Sequence, residues 1–477
     1  MIKSKKNTLR KAVLINASSK YLNILLNILV NAILARLVSP EDYGLMAIVT
    51  VFSTLFSTIA DMGLSTAVVQ DKELTDRDMN SIFSFSIYIS FFLGIMFALL
   101  SFAIAHFYNE KILIKLGQLL SVSLLFSSMS AVPNGKLNRD KRFLEMSIRN
   151  IVIYISSALV AILFAFRGAG IYSLIIQSIL SAVFMFVWSE GLTGLRFNLT
   201  FSMDSVRRIA SYSGFQYAFS LSNYFARNLD NILIGKYMGA TQLAFYARSY
   251  NLMLYPINNI TGVVTPVLHP ILSDFQENRE YIYVQYVKIL KILALIAILV
   301  EGCCFFFAKE IIYVFYGKNW DASIICFQIL SLAICTQMLT GTTGGVFQSL
   351  GETKLLFIAG SINIFITVCG MIVGLVIGNT IEYVALFVSI AYVFHFFVSF
   401  YIMMKYGFKR SYVHFLMEFW KEITIFAIMF ICGVLYERIV NVNDNMIIGK
   451  MVLILTVYLG GVFLSKEHKV LTVLFHR

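Results

Sequence analysis

Residues 12–37, AVLINASSKYLNILLNILVNAILARL, form the first membrane-length apolar stretch of the chain and carry a line of polar side chains. Five polar residues recur in it at steps of four, three, four and four: Asn16, Lys20, Asn23, Asn27 and Asn31. At about 1.5 Å of rise per residue, this spacing places all five on one helical face that crosses most of a bilayer core. A lone ammonium costs about 3 kcal/mol at the centre of a membrane helix, so the face is predicted to look into protein or water.

Two interpretations of this polar face are open. Asparagine side chains hydrogen-bond between packed membrane helices at roughly 0.6 kcal/mol each, which would account for one or two of them. Four amides on one face together with a lysine favour a water-filled cavity.

The same pattern returns 200 residues later in a second membrane-length segment. It contains five residues with the same steps: Gln216, Ser220, Asn223, Arg227 and Asn231. A cation follows each apolar run at the matching position, Arg36 in the first and Lys236 in the second. We interpret the match as an internal duplication whose halves direct their polar faces towards one shared space.

The composition indicates a polytopic membrane protein. The 477 residues are 58% hydrophobic and 13% charged, whereas soluble domains are about 25% charged. The net charge of +12 does not predict nucleic-acid binding, because the cations fall between apolar runs instead of forming a patch with aromatics. The six cysteines include no CxxC pair, so no metal or disulfide is expected, and no cofactor is indicated.

Hydrophobic windows predict an all-α fold with about fourteen transmembrane helices. The spans are 12–37, 43–69, 79–105, 116–133, 146–166, 168–188, 209–235, 243–268, 281–308, 321–350, 354–377, 380–404, 419–438 and 447–465. An amino terminus in the cytoplasm leaves most of the 38 Lys and Arg residues on the inner side. We therefore expect a multi-pass protein of the cytoplasmic membrane with both termini cytoplasmic.

The duplication predicts two six-helix lobes of like orientation around a central cavity. The amino-terminal lobe is 1–190, a cytoplasmic linker is 191–208, and the carboxyl-terminal lobe is 209–404. Residues 411–477 contain two accessory helices, the thirteenth and fourteenth, with a cytoplasmic tail. Like-oriented repeats are related by an axis along the membrane normal.

Further polar residues are candidates for the cavity lining. Arg248, Asn251 and Tyr255 are near-helically spaced in the eighth span and are expected to face inwards. Asp61 ends a hydroxyl stripe in the second span, where a partnered carboxylate is the favoured interpretation. Asp230 follows Arg227 by three residues, so it either neutralises this arginine or leaves it to a ligand.

Four runs of residues resemble Wzx-type polysaccharide exporters of the multidrug/oligosaccharidyl-lipid/polysaccharide flippase superfamily. They are Leu34-Ala-Arg-Leu-Val-Ser-Pro-Glu-Asp-Tyr-Gly44, Asp61-Met-Gly-Leu-Ser-Thr-Ala-Val-Val-Gln70, Val132-Pro-Asn-Gly-Lys-Leu-Asn-Arg-Asp-Lys-Arg-Phe143 and Asp230-Asn-Ile-Leu-Ile-Gly-Lys236. The subgroup that the chain most resembles exports colanic-acid or teichuronic-acid type repeat units.

The resemblance implies twelve helices in two lobes with two further helices. It also implies outward transfer of undecaprenyl-diphosphate-linked oligosaccharide for capsule, O-antigen, lipopolysaccharide or exopolysaccharide biosynthesis. A proton or sodium ion is the candidate coupling ion, and polysaccharide assembly machinery is the candidate protein partner. Cavity cations recur in the family, and Lys20, Arg227 and Arg248 match that feature by location alone.

Two other functions compete with this interpretation. A membrane polysaccharide polymerase or glycosyltransferase would need catalytic carboxylates or large outer loops, and the scattered acidic residues show no pairing, so no enzyme is predicted. A cation-coupled drug exporter of the same superfamily would be expected to carry a carboxylate on the first-helix face, which instead has Lys20 and amides.

The predicted mechanism is alternating access, in which the lobes open the cavity first inwards and then outwards. The diphosphate would bind the cavity cations, and the sugars would meet the amides and hydroxyls, which both donate and accept hydrogen bonds.

Overall fold

The computed structural model describes residues 21–61, 63–439 and 447–467. Side chains are described throughout these ranges except at 208–220, 222, 223, 226, 266, 267 and 269–271. Every regular element in these ranges is helical and none is a strand, which confirms the all-α prediction.

The helices follow one another with short connections. The first ten are α1 (Tyr21–Leu37), α2 (Pro40–Asp61), α3 (Leu64–Gln70), α4 (Asp76–Tyr108), α5 (Ile112–Met129), α6 (Ala131–Arg139), α7 (Phe143–Phe166), α8 (Ile171–Thr193), α9 (Met203–Met238) and α10 (Ala240–Ser273). The others are α11 (Arg279–Phe306), α12 (Ala308–Phe315), α13 (Ala322–Ser331), α14 (Ile334–Thr340), α15 (Thr343–Ser349), α16 (Thr353–Gly378), α17 (Ile381–Ile402), α18 (Tyr412–Met417), α19 (Trp420–Ile439) and α20 (Ile447–Leu464).

The chain is a multi-pass helical membrane protein. In the part that the structure describes, nine helical segments are long and apolar enough to cross a membrane. The number is ten if α13 and the segment Ile334–Ser349, which are bent by 48° relative to each other, count as one span. The α9, α10 and α19 helices coincide with predicted spans but are more polar or carry charges at both ends. The total of fourteen spans stays a prediction.

The chain divides into two compact units, each described separately. The first unit comprises residues 1–244 and 313–320, and the second comprises 245–312 and 321–477. The two-lobe division at residues 190 and 209 and the central cavity stay predictions.

The residues at the start of α2 account for where this helix begins. Ser39 precedes the helix and its Oγ accepts a hydrogen bond from the backbone N–H of Asp42 at 3.1 Å. Pro40 fits the first helical position, where its missing N–H would have no helical partner. Glu41 and Asp42 place negative charge in the first turn, at the positive end of the helix dipole.

The end of α1 is held by polar contacts inside the first unit. The Arg36 guanidinium donates to the backbone carbonyls of Tyr313 and Val314 at 3.2 and 2.8 Å. The buried indole of Trp320 donates to the Ala35 carbonyl at 3.0 Å. Residues 313–320 therefore supply acceptors for the Arg36 guanidinium and a donor for the Ala35 carbonyl. These bonds fix the position of α1 within its unit.

The cluster around α3 and α6 forms one core of the first unit. Its buried residues are Leu64, Ala67, Val68, Leu74, Met79, Ile82, Phe83, Val132 and Leu195. Gly135 permits the close approach of α6, because a Cβ there would lie 3.0 Å from the Ser65 carbonyl oxygen. Lys136 donates to the Thr193 carbonyl and Arg139 to the Lys72 carbonyl. These two basic side chains of α6 therefore hydrogen-bond to backbone in neighbouring parts of the unit.

One described core of the second unit combines helices that lie far apart in its sequence. Residues of α11, α19 and α20 pack together: Leu295, Ile298, Phe306, Ile425, Met429, Ile454, Tyr458 and Val462. The Tyr458 hydroxyl donates to the Leu295 carbonyl at 2.9 Å, which satisfies its polar end inside this apolar cluster. The two accessory helices therefore pack against α11.

Candidate functional site

The described part of α1 has one polar and one apolar face, as its spacing predicts. Asn23, Asn27 and Asn31 are half-buried, whereas Leu25 and Leu29 on the other face are each 59% exposed. An exposed leucine face suits contact with lipid. The three asparagines therefore lie on the side of the helix that is turned towards protein.

Asn27 connects α1 to α7 through a hydrogen bond. The Tyr154 hydroxyl donates to the Asn27 Oδ1 atom at 3.1 Å. The Asn31 amide donates to the Asn27 carbonyl oxygen at 2.8 Å. At least one asparagine of this face thus serves interhelical bonding, which is one of the two interpretations that the sequence left open.

Two residues of the first polar face, Asn16 and Lys20, lie outside the described residues. On the matching helix α9, the side chains of Gln216, Ser220 and Asn223 are also outside the described set. Their contribution to a site stays a prediction.

Arg227 and Asp230 lie on α9 in different environments. Arg227 is exposed, whereas Asp230 is buried and its Oδ1 accepts from the Asn231 backbone N–H at 2.8 Å. Among the described contacts, no salt bridge joins Arg227 to Asp230. Whether Arg227 binds a ligand or is neutralised by Asp230 stays a prediction.

The second unit carries the predicted polar residues of α10. Arg248 and Tyr255 are half-buried, Asn251 is exposed, and the spacing along α10 is as predicted. The Tyr255 carbonyl accepts from the Asn259 amide at 2.7 Å. Their role in binding stays a prediction.

Asp61 lies where α2 ends, two residues before Gly63 with its positive φ of 75°. Its side chain is half-buried beside this break between α2 and α3. The interpretation of a partnered carboxylate stays a prediction.

Sequence reasoning missed a second polar surface in the first unit. It lines a cavity of about 500 Å³, here called the hydroxyl cavity. The lining residues are Ser123, Ser127, Ser130, Asn134, Tyr154, Ser157, Gln177, Ser178, Ser181, Ala182 and Met185. The pattern was present in the sequence, because Ser123, Ser127, Ser130 and Asn134 recur at steps of four, three and four.

Arg149 is a buried charge that the sequence analysis also missed. It lies in α7, is 2% exposed, and donates to Asn134 Oδ1 at 2.9 Å and to Ser189 Oγ at 2.5 Å. It also donates to Asn150 Oδ1 at 3.0 Å. Neutral oxygen atoms thus satisfy the guanidinium behind the cavity wall.

No group of three His, Cys, Asp or Glu residues is placed to hold a metal ion anywhere in the described ranges.

Comparison with known proteins places these features in a family. A family model described as polysaccharide biosynthesis protein matches residues 33–325. The lipopolysaccharide biosynthesis protein WzxC of Escherichia coli is 21% identical over 395 residues, covering 81% of this chain and 79% of WzxC. The teichuronic acid biosynthesis protein TuaB of Bacillus subtilis is 22% identical over 307 residues, covering 64% of each chain.

Among solved structures, the lipid II flippase MurJ in an inward closed conformation has the same fold. The TM-score is 0.75 at 17% identity, and the match covers 95% of this chain and 99% of MurJ. At this low sequence identity the similarity shows the fold alone, and it confirms a polytopic helical membrane architecture.

Proposed function

Since this chain belongs to the polysaccharide biosynthesis protein family, we propose that it is a flippase for undecaprenyl-diphosphate-linked oligosaccharide repeat units. The cargo would cross the cytoplasmic membrane by alternating access and would then supply surface polysaccharide synthesis. The relatives' names agree with this proposal, since WzxC and TuaB are named for the biosynthesis of lipopolysaccharide and teichuronic acid. MurJ, which shares the fold, is named as a flippase for lipid II.

The observation that carries the proposal is the polar, uncharged lining inside apolar helices. The α1 amides and the hydroxyls between α5 and α8 are uncharged groups that can hydrogen-bond to sugar hydroxyl groups. Polar groups at membrane depth are costly, and they mark substrate pathways when they face a cavity.

We propose a structural and not a catalytic role for the buried carboxylate of Glu301. It accepts a hydrogen bond from the Cys335 N–H at 2.8 Å. A backbone partner suits a structural role better than general acid–base chemistry.

The cations are proposed to hold the diphosphate, with Lys20 and Arg227 as candidates in the first unit and Arg248 in the second. Arginine binds phosphate through two parallel hydrogen bonds, whereas lysine acts as a point charge. Arg227→Lys should therefore reduce export, and Arg227→Ala should reduce it further.

A double variant separates this proposal from charge neutralisation. If Arg227 only neutralises Asp230, then Arg227→Ala combined with Asp230→Ala should restore export at normal protein levels. Continued loss of export with an intact fold supports phosphate binding.

The orientation proposed for the chain has both termini in the cytoplasm. Reporter fusions after Arg142 and Lys409 should then report a cytoplasmic location, and one after Lys318 an external one. The inverted pattern would refute this topology. The coupling ion, a proton or sodium, and a contact with polysaccharide assembly machinery are further parts of the proposal.

Deletion of the gene in its host tests the function itself. We expect surface polysaccharide to disappear while the lipid-linked repeat unit accumulates on the cytoplasmic leaflet, and a plasmid copy to reverse both changes. Unchanged surface polysaccharide, or loss without accumulation of the repeat unit, would contradict a flippase.

A further inference from the structure

The hydroxyl cavity lies entirely within the first unit, among α5, α6, α7 and α8. Its volume of about 500 Å³ falls within the range of small-molecule sites, roughly 300–1,000 Å³. Nine of its eleven lining side chains carry a hydroxyl or an amide, and none carries a charge. Neither Arg227 nor Arg248 is among its described lining residues.

Five of the six serine hydroxyls of the wall donate to backbone carbonyl oxygens. Ser127, Ser130 and Ser178 donate to carbonyl oxygens three or four residues earlier, at 3.0, 2.9 and 3.1 Å. Ser123 donates to the Ser178 carbonyl at 3.1 Å, which joins α5 to α8. A hydroxyl that has donated still has lone pairs, so this wall presents hydrogen-bond acceptors.

Two amides add donors to this acceptor wall. Arg149 donates to Asn134 Oδ1 at 2.9 Å, which fixes the amide with its NH₂ group left to donate. Gln177 lines the cavity, and no hydrogen bond within the described chain uses its amide. Arg149 is thus a positioning residue for Asn134.

This arrangement selects the chemistry of a ligand. An acceptor-rich wall disfavours a phosphate, and the described wall residues offer no carboxylate to a metal ion or a cationic drug. A neutral ligand with several O–H donors and ether or hydroxyl acceptors matches both the serine oxygens and the two amides. Saccharides have this combination of groups.

We propose that the hydroxyl cavity binds a sugar of the transported repeat unit, apart from the cations that bind its diphosphate. The proposal rests on the flippase function given above and adds where its saccharide binds. Tyr154 connects the cavity to the α1 polar face, because it lines the cavity and donates to Asn27.

Binding to the purified full-length chain in nanodiscs tests this inference with two probes. One is the lipid-linked repeat unit extracted from the producing strain, and the other is undecaprenyl diphosphate without sugar. We expect the wild type to bind the glycosylated lipid more tightly. Gln177→Leu should weaken binding of that lipid by about tenfold and leave binding of the bare diphosphate unchanged.

Adjacent serines of α7 provide a matched pair that keeps the test independent of folding. Ser157 lines the cavity and Ser156 does not, yet each donates to a carbonyl three residues earlier, at 3.2 and 3.1 Å. Ser157→Ala should weaken glycosylated-lipid binding a few-fold, and Ser156→Ala should leave it unchanged.

The outcomes separate this inference from the proposed function. Equal binding of the two lipids by the wild type, or glycosylated-lipid binding unaffected by both Gln177→Leu and Ser157→Ala, overturns the sugar site and leaves the flippase standing. A wild type that binds neither lipid overturns both. Ser181→Cys gives a second readout, since its labelling by a polar thiol reagent should be slowed by the glycosylated lipid and not by the bare diphosphate.

Discussion

Arg149 in the first unit and Glu301 in the second are both buried ionisable side chains within apolar helices, 2% and 3% exposed. Neither forms an ion pair with another described residue. Arg149 is bound by neutral side-chain oxygens, one of which belongs to a cavity wall. Glu301 is bound by the Cys335 backbone N–H, at the 48° bend between α13 and α14.

This difference shows two roles for buried polar side chains in a membrane protein, one in the fold and one at a binding surface. Glu301 satisfies a donor that a helix break exposes, so its bonding is used within the fold. Arg149 orients Asn134, whose remaining donors face the cavity, so its bonding also prepares a surface for a ligand. Burial alone would not distinguish the two residues, whereas their partners do.

The largest effect on stability is expected for Arg149→Ala. The change leaves the side-chain oxygens of half-buried Asn134 and buried Ser189 without this donor and opens a void, which together cost about 3 kcal/mol. Denaturation of the purified chain in detergent measures the loss.

Arg142→Ala is the control for this change. Arg142 forms a partly exposed ion pair with Glu145, and this hydrogen bond raises the pKa of the Arg142 guanidinium. Exposed pairs contribute about 0–1 kcal/mol, so this variant should remain close to the wild type. An equal loss of unfolding free energy in the two variants would contradict a greater contribution of Arg149 to stability.

A pair of changes at Glu301 should have an intermediate effect. Glu301→Leu leaves the Cys335 N–H without its acceptor and should cost about 2 kcal/mol, whereas Glu301→Gln keeps an acceptor and should cost less. Export should be measured together with stability, because the two readouts distinguish a structural role of Glu301 from a role in transport. If Glu301→Gln folds normally but abolishes export, the carboxylate takes part in transport and is not only a cap.

The smallest effect is expected for Tyr154→Phe. It removes the hydrogen bond to Asn27, and such interhelical bonds in membranes average about 0.6 kcal/mol. Export should fall more than this stability loss explains, because Tyr154 also lines the hydroxyl cavity. A variant with wild-type export and slightly lower stability would show that Tyr154 serves packing alone.

Features that depend on neighbouring residues could be predicted from the sequence. The sidedness of α1 follows from the spacing of Asn23, Asn27 and Asn31. The start of α2 follows from Ser39 and Pro40, which favour a helix N-terminus through the cap and the fixed backbone angle.

Features that depend on distant residues could not be predicted in this way. Glu301 and Cys335 are 34 residues apart, and no local pattern indicates that the acid caps a bend in another helix. The serine stripe of α5 was visible, but serines in membrane helices commonly bond to their own backbone. Only its place beside Gln177 and Asn134 distinguishes it as a cavity wall.

Reconstitution of the purified chain into liposomes is the direct test of the proposed flippase activity. The liposomes would contain the lipid-linked repeat unit in both leaflets, and a membrane-impermeant glycosidase would measure the share that reaches the outer leaflet. We expect the protein to give the enzyme access to the inner-leaflet pool, and Arg227→Ala to slow this access. Accessibility equal to that of protein-free liposomes, with the protein folded and inserted, would contradict the proposed activity.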